Sequence, residues 1–202
     1  MSYWSNRKPV RRARAVDPAA IAATSIALLD EGGLRALTVR AVAGRMAVAP
    51  ASLYSRVSSA DDLFDLALDA ALGQDPSMTR VLDQSDIDVL LIEYYRHLIR
   101  HPWACQVIGM RAPRGPNYLR FSERLCQLLL EMDAPNPLAT AYALSNFVIG
   151  SATTAPAVSD EQAAPIDGDI APIYARLHSE QMTEPERIVA AGLAALQHLW
   201  SR

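Results

Sequence analysis

The chain has 202 residues, of which 50% are hydrophobic and 6% aromatic, and its formal net charge is -3. This length holds one large domain or two small ones, with enough apolar residues for a core. No apolar run approaches the ~20 residues that span a membrane, and none follows the charged N-terminus as in a secretory signal. We therefore expect a cytoplasmic protein without a membrane partner, with Cys105 and Cys126 as reduced thiols.

The charge is distributed unevenly along the chain. Residues 1–60 contain nine basic and three acidic residues, a balance of +6, so the remainder carries -3 - 6 = -9. A basic end on an acidic body is typical of a module that binds a polyanion. The alternative is a basic tail that only keeps the chain in solution.

The first elements are a basic arm and a helix. Residues 1–16 have no apolar pattern and are predicted to form a flexible arm. Asp17 can cap a helix that Pro18 begins, and Gly32-Gly33 ends it. One face of this helix repeats every three to four residues and is predicted to be buried: Ile21, Ser25, Leu28 and Leu29.

Two short helices around a tight turn follow. Thr38 can cap the second helix, whose inward residues are Val39, Val42 and Met46. Ala47–Ala49 is the predicted turn, and a third helix runs from Pro50 to about Arg56. This pattern predicts a helix-turn-helix, which fits the DNA major groove. Ser59 then begins a fourth helix in a sequence that resembles a capping box.

The rest of the chain also reads as helical. After the fourth helix, residues 74–84 are expected to form a linker or a frayed end, and Ser85 to begin the fifth helix. Further helices are predicted near 103–110, 118–132, 138–155, 169–182 and 184–201, with loops at 111–116 and 156–168. No strand pattern is present, so the predicted fold class is all-α.

Three stretches resemble the TetR family of bacterial transcription regulators: Ala27–Gly33, Leu37–Ala43, and Val48 with Leu53-Tyr54. The resemblance implies an N-terminal three-helix helix-turn-helix DNA-binding domain at residues 17–60, after the arm. It also implies a larger C-terminal helical domain at residues 61–202 that binds an effector and forms the dimer. The family usually has a lysine at the start of the fourth helix. Here that position is Ala60, so we predict that the basic arm replaces the missing phosphate contact.

The resemblance also places the DNA contacts. The base-reading face of the third helix is small and mostly apolar, so its side chains offer methyl contacts more than hydrogen bonds. Arg56 is the first candidate for a guanine contact and Arg40 the second. The predicted DNA-binding residues are Thr38, Val39, Arg40, Ala49, Pro50, Ala51, Ser52, Tyr54, Ser55 and Arg56.

Polar residues inside apolar helices of the C-terminal part indicate a ligand pocket, because burial of a polar group without a partner costs free energy. The predicted ligand-binding residues are His97, His101, Trp103, Met110, Tyr118, Phe121, Tyr142, Asn146, Ile149 and Thr153. The alternative is that Asn146 and the histidines bond the backbone, and that Met110 and Phe121 are core. His97 and His101 are four residues apart, but no third ligand is placed, so neither a metal nor a cofactor is predicted.

Small side chains on the eighth and last helices permit close helix packing and predict a homodimer. They include Ala143, Gly150, Ala191, Gly192 and Ala195; the alternative is packing within one chain. The sequence contains no nucleophile elbow, phosphate loop or paired catalytic acids, so an enzyme is not expected. The predicted function is a dimeric repressor that an effector of unknown identity releases from a palindromic double-stranded DNA operator. The alternative is an activator or an architectural DNA-binding protein without an effector.

Overall fold

The computed structural model describes residues 2–5, 16–181 and 184–198, and it describes the backbone alone for residues 159–163. Within these residues the chain forms eleven α-helices and no strand, so the predicted all-α class is confirmed. None of the described helices is both long and apolar enough to cross a membrane.

The N-terminal helices follow the predicted order: α1 (Pro18–Gly32), α2 (Val39–Arg45), α3 (Pro50–Leu53) and α4 (Ala60–Gln74). The predicted caps are present. The side chain of Asp17 accepts a hydrogen bond from the N–H of Ala19, and that of Thr38 accepts one from Ala41, each at 3.0 Å. The predicted inner face of α1 is buried, and its one polar member, Ser25, donates to the carbonyl of Ile21 at 2.8 Å.

The turn between α2 and α3 needs a particular backbone conformation. Ala47 is exposed and has a φ of 53°, in the left-handed region that favours glycine. A small residue is therefore favoured at this position, because a bulky or branched side chain would be more strained at a positive φ. The α3 helix is also shorter than predicted. It ends at Leu53, and a hydrogen-bonded turn continues to Val57.

Seven helices follow: α5 (Pro76–Gln84), α6 (Ile87–Arg100), α7 (Pro102–Met110), α8 (Pro116–Glu131), α9 (Pro137–Ala163), α10 (Pro172–Glu180) and α11 (Pro185–His198). Two predictions were wrong here. Residues 76–84 form a helix instead of a linker, because the Asp75 carboxylate caps it by accepting from the N–H groups of Ser77 and Met78. The predicted loop at 156–168 begins too early, because α9 continues through Pro156 to Ala163.

The helix α4 connects the two ends of the fold. It packs along α1 on one side, and it contacts α5, α7 and α8 on the other. The helix α9 lies against α6, α7, α8 and α11. The helix α4 therefore contacts both α1 and α8.

The first residues are not part of a free arm. Tyr3 is buried, and its N–H donates to the Asp65 carboxylate of α4 at 2.7 Å. The Tyr3 and Trp4 rings meet edge to face with centroids 5.1 Å apart. The prediction of a flexible arm over 1–16 is therefore wrong for residues 2–5, which α4 holds. Residues 6–15 of the predicted arm lie outside the described residues.

Candidate nucleic-acid interface and ligand cavity

Most of the predicted DNA-contacting residues share one exposed surface around α2 and α3. The exposed members are Thr38, Arg40, Ala49, Pro50, Ala51, Ser52, Tyr54 and Ser55. Val39 is the exception, because its side chain is buried in the core and only its backbone lies near the surface. Tyr54 is 52% exposed, so its hydroxyl is free to approach a phosphate.

The arginines of this surface differ in what they already bind. Arg45 makes two bonds of 2.6 Å to the Glu31 carboxylate. Arg56 is partly buried, and its Nε donates to the carbonyl of Val16 at 2.9 Å. Arg40 is exposed and makes no ion pair within the described residues. The structure therefore favours Arg40 over Arg56 for a base or phosphate contact, the reverse of the order expected from the sequence.

Three carboxylates project from one side of α4 towards the segment before and at the start of α8. Asp61, Asp65 and Asp69 are four residues apart, which places them on the same side of the helix. We call them the aspartate face of α4. The regular i, i+4, i+8 spacing of these aspartates is visible in the sequence, but the face was not predicted from it.

The aspartate face holds two groups of donors. Arg111 donates to Asp65 through Nε at 2.9 Å and Nη2 at 3.1 Å, and to Asp61 through Nη1 at 2.7 Å. Asp69 accepts from the backbone N–H groups of Asn117 and Tyr118 at 2.9 and 3.1 Å. Burial raises the pKa of Asp69, and these bonds oppose that effect. The aspartate face thus attaches α4 to residues 111–118.

Ala112, Pro113, Arg114 and Tyr118 line a cavity of about 420 Å³ between α6, α7, α8 and α9. This volume lies in the range of small-molecule sites. Five of the ten predicted ligand-binding residues line it: Tyr118, Phe121, Tyr142, Asn146 and Ile149. The last three lie at helical spacing along α9.

The other five predicted ligand-binding residues do not line the cavity. His101 Nδ1 lies 2.8 Å from Asp30 Oδ1, and Trp103 Nε1 donates to the same oxygen at 2.6 Å. Both residues therefore join α6 and α7 to α1. Met110 is 59% exposed, and Thr153 Oγ1 donates to the carbonyl of Ile149 at 2.7 Å.

His97 lies in a buried polar cluster instead of the cavity. Its Nδ1 is 2.9 Å from Asp75 Oδ2, the same carboxylate that caps α5, and Arg100 also bonds to Asp75. Burial outweighs the Asp75 bond and lowers the pKa of His97 to about 4. Burial opposes the ionisation of Asp75, but the bonds from Arg100 and His97 lower its pKa to about 2. Among the described residues, no group of three metal-ligating side chains is assembled here or elsewhere.

Several polar residues of the cavity wall were not predicted from the sequence: four lie on helices, and Arg114 lies in the predicted loop at 111–116. They are Tyr94, Arg114, Ser122, Cys126 and Ser145. The Tyr118 hydroxyl is buried, lies near that of Tyr94, and has no well-aligned hydrogen-bond partner among the described residues. Burial raises the pKa of both tyrosines, so both hydroxyls stay protonated at neutral pH.

The geometry defines a class of protein: an all-helical chain with an exposed helix-turn-helix and a cavity in its C-terminal helices. The comparisons with known proteins agree. The profile of the tetracyclin repressor-like C-terminal domain matches residues 85–180.

An HTH-type transcriptional regulator of Saccharopolyspora erythraea is 38% identical over 135 residues, which are 65% of this chain and 57% of that protein. The HTH-type transcriptional repressor DrrR1 of Streptomyces coeruleorubidus is 27% identical over 133 residues, 63% of this chain and 49% of that protein. The chain thus spans about half the length of these curated relatives.

Solved structures show the same fold. The transcriptional regulator SCO7222, a TetR from Streptomyces coelicolor, superposes with a TM-score of 0.75 at 21% identity, over 91% of this chain and 96% of that one. The TetR family protein ActR of Streptomyces coelicolor, in complex with actinorhodin, also has a TM-score of 0.75, at 22% identity over 94% and 97% of the two chains. This likeness shows that the chain shares its fold with these TetR family proteins, and the profile identifies residues 85–180 as similar to the tetracyclin repressor-like C-terminal domain.

Proposed function

We propose that this chain is a homodimeric DNA-binding repressor that a small molecule releases from a palindromic operator. The observation that carries the proposal is the aspartate face of α4. It attaches α4, which packs along α1, to the segment 111–118, of which residues 112–114 and Tyr118 line the cavity. A ligand that moves this wall acts on the helix that supports the DNA-binding surface. The proposed DNA-binding part is residues 17–60, and residues 61–202 form the effector and dimer part.

The exposed surface around α2 and α3 supports the proposed DNA contact. The N-terminus of α2 carries Thr38 and Arg40, and a helix N-terminus favours a phosphate. Small side chains at Ala49, Pro50 and Ala51 permit close approach to thymine methyl groups. Specificity would then depend on Arg40, on these methyl contacts and on the shape of the DNA.

Exposed faces of α9 and α11 support the proposed dimer. On α11, Val189 and Leu193 are buried within the chain, whereas Ile188 is 41% exposed beside the exposed Ala191 and Ala195. On α9, Ala143, Gly150 and Thr154 are exposed. Two copies that pair these faces would bury them about a two-fold axis. The recognition helices would then lie ~34–36 Å apart, one turn of DNA.

Two relatives support the regulatory part of the proposal. One curated relative is named a transcriptional repressor, and ActR has been crystallised with actinorhodin and with (S)-DNPA. On this proposal the free dimer binds DNA, and the ligand shifts the protein towards a state that does not match the operator. The size of that shift is limited by the difference in ligand affinity between the two states.

The DNA-binding part is tested with an operator selected from random-sequence DNA. Fluorescence anisotropy should show that Arg40→Ala lowers affinity by at least tenfold, whereas the exposed Arg80→Ala of α5 leaves it unchanged. Replacing Arg11, Arg12 and Arg14 by Gln should weaken binding, and its salt dependence should fall by about one unit for each phosphate that the arm no longer neutralises. Equal affinities for the wild type and the Arg40 variant would contradict the proposed interface.

The dimer and the release by ligand need separate measurements. Light scattering at micromolar concentration should give a mass of two chains for the wild type. Gly150→Arg on the exposed face of α9 should reduce the measured mass to that of one chain. A panel of small aromatic compounds should contain at least one that displaces the operator from the wild type. A wild-type monomer contradicts the proposed dimer, and an operator that no compound releases favours the alternative of a regulator without an effector.

A further inference from the structure

The charge of the cavity wall restricts the ligand that it can hold. Of the described residues that line the cavity, Arg114 is the one charged side chain, and none is acidic. Four aromatic side chains border the cavity: Tyr94, Tyr118 and Phe121 are almost fully buried in its wall, and Tyr142 is 60% exposed. Flat aromatic walls favour a planar ligand, because stacked and edge-to-face contacts stabilise it beyond the burial of its area.

Arg114 differs from the neighbouring Arg111 in its partners. Arg111 binds two carboxylates of the aspartate face, those of Asp61 and Asp65, and the Arg111 side chain is 18% exposed. Arg114 is exposed, donates one bond to the carbonyl of Pro113 at 3.2 Å, and makes no ion pair within the described residues. The guanidinium of Arg114 therefore remains available to a carboxylate or a similar anion.

Two buried carboxylates lie near this charge and make no ion pair with it. Asp65 and Asp69 border the small depression beside Arg114 and Gly115. The oxygens of Asp65 bind Arg111 and the Tyr3 N–H, and those of Asp69 bind the N–H groups of Asn117 and Tyr118 and the Asn117 amide. An anionic group in the cavity would meet Arg114 with no competing carboxylate in the lining, whereas a cationic group would find no acidic partner.

A second polar feature points to an oxygen on the ligand. The Tyr118 side chain lines the cavity, and its buried hydroxyl lies near that of Tyr94 without a well-aligned hydrogen bond to the described residues. A buried hydroxyl without a hydrogen bond costs free energy. A ligand carbonyl or hydroxyl placed against it would remove that cost.

From these two features we infer that the cavity takes a planar aromatic ligand with an acidic group beside Arg114 and an oxygen against the Tyr118 hydroxyl. The inference rests on the proposed function, since it treats this cavity as the effector site. It excludes cationic ligands, such as aliphatic amines, as preferred effectors.

Two fluorescent probes with the same ring system test the acidic group. 1-Anilinonaphthalene-8-sulfonate is anionic, and N-phenyl-1-naphthylamine lacks the sulfonate. Titrated against the full chain, the anionic probe should bind about tenfold tighter, as a charge-assisted bond would give. Arg114→Gln should abolish this difference. Arg120→Gln, a matched exposed arginine on α8 outside the cavity lining, should preserve it.

The oxygen contact is tested with a second pair of probes, 2-naphthoic acid and 3-hydroxy-2-naphthoic acid. The hydroxylated acid should bind several-fold tighter to the wild type, and Tyr118→Phe should remove that advantage while keeping the difference between the charged and uncharged naphthylamine probes. Near-ultraviolet circular dichroism checks that each variant is folded.

The outcomes separate this inference from the proposed function. Ile149→Trp fills the cavity and should abolish the binding of every probe. If the variant does so but the charged and uncharged probes bind the wild type equally, the cavity stands as a ligand site and the inference about the acid is overturned. If the variant leaves binding unchanged, the cavity is not the ligand site and the proposed function fails with the inference. Failure of every probe to bind the wild type also overturns the inference.

Discussion

Replacing Asp65 by Asn should destabilise the fold far more than the same change at Asp61, although both aspartates bind the same residue, Arg111. The Asp65 side chain is 6% exposed and accepts three bonds, two from Arg111 and one from the Tyr3 N–H. Asparagine keeps the shape of aspartate but loses the charge, and its amide nitrogen cannot accept a hydrogen bond. Asp61 is 62% exposed and accepts one bond from the same guanidinium.

The structure sets the size of the two effects. Breaking a buried ion pair costs about 3–5 kcal/mol. Arg111 retains Asp61 and is 18% exposed, so we expect about 2–3 kcal/mol for Asp65→Asn. An exposed pair contributes about 0–1 kcal/mol, so Asp61→Asn should lie within that range. The contrast between the two variants arises from burial, because their chemistry is the same.

Urea unfolding at fixed protein concentration measures both free energies of unfolding. The midpoint should fall for Asp65→Asn with little change in the slope, and it should hardly move for Asp61→Asn. On the proposed function, Asp65→Asn should also weaken the effect of ligand on operator affinity, because α4 loses a bond to the segment beside the cavity. Equal midpoints for the two variants would refute the role assigned to the buried end of the aspartate face.

Two further predictions concern other parts of the fold. Because burial lowers the pKa of His97 from its ordinary value near 6.5 to about 4, the unfolded chain binds the extra proton between these values. The free energy of unfolding should therefore fall by up to ~3 kcal/mol as the pH drops from 6.5 to 4, and His97→Gln should flatten this pH dependence in chemical denaturation; an unchanged profile would show that another group causes it. A Cβ at Gly192 would lie 2.1 Å from Cζ of Phe147, so Gly192→Ala should lower stability by about 1–3 kcal/mol in the same assay. Gly109→Ala in α7 is the control, since a Cβ there meets nothing within 4 Å, and a loss of the same size there would contradict the packing argument.

Local sequence signals predicted the N-terminal helices well. Asp17 and Thr38 act as caps where the sequence placed them, and the buried face of α1 follows the helical repeat. Caps and apolar periodicity involve residues within four positions of each other, so they can be read without knowledge of the fold. The same signals failed at Pro156, where α9 continues with Ala152 and Ala155 buried, although a proline inside a helix is locally unfavourable.

The candidate site was predicted only in part, for a related reason. The stripe of Tyr142, Asn146 and Ile149 on α9 was found because it lies on one helix. His101 and Trp103 were assigned to the cavity because they are polar or aromatic residues in apolar surroundings. Their partner, Asp30, lies 71 and 73 residues away, and nothing local indicates it.

By itself, the sequence indicated the all-α class, the helix-turn-helix, the resemblance to the TetR family and the basic character of the N-terminal end. The tertiary structure decided which charges remain available for binding. It engages Arg45, Arg56 and Arg111 with partners, and it leaves Arg40 on the DNA-binding surface and Arg114 at the cavity without a carboxylate partner among the described residues. The bonds that occupy Arg56 and Arg111 join positions 40 and 46 residues apart. An arginine has the same charge wherever it lies in the sequence, and only the fold shows whether a nearby oxygen already binds it.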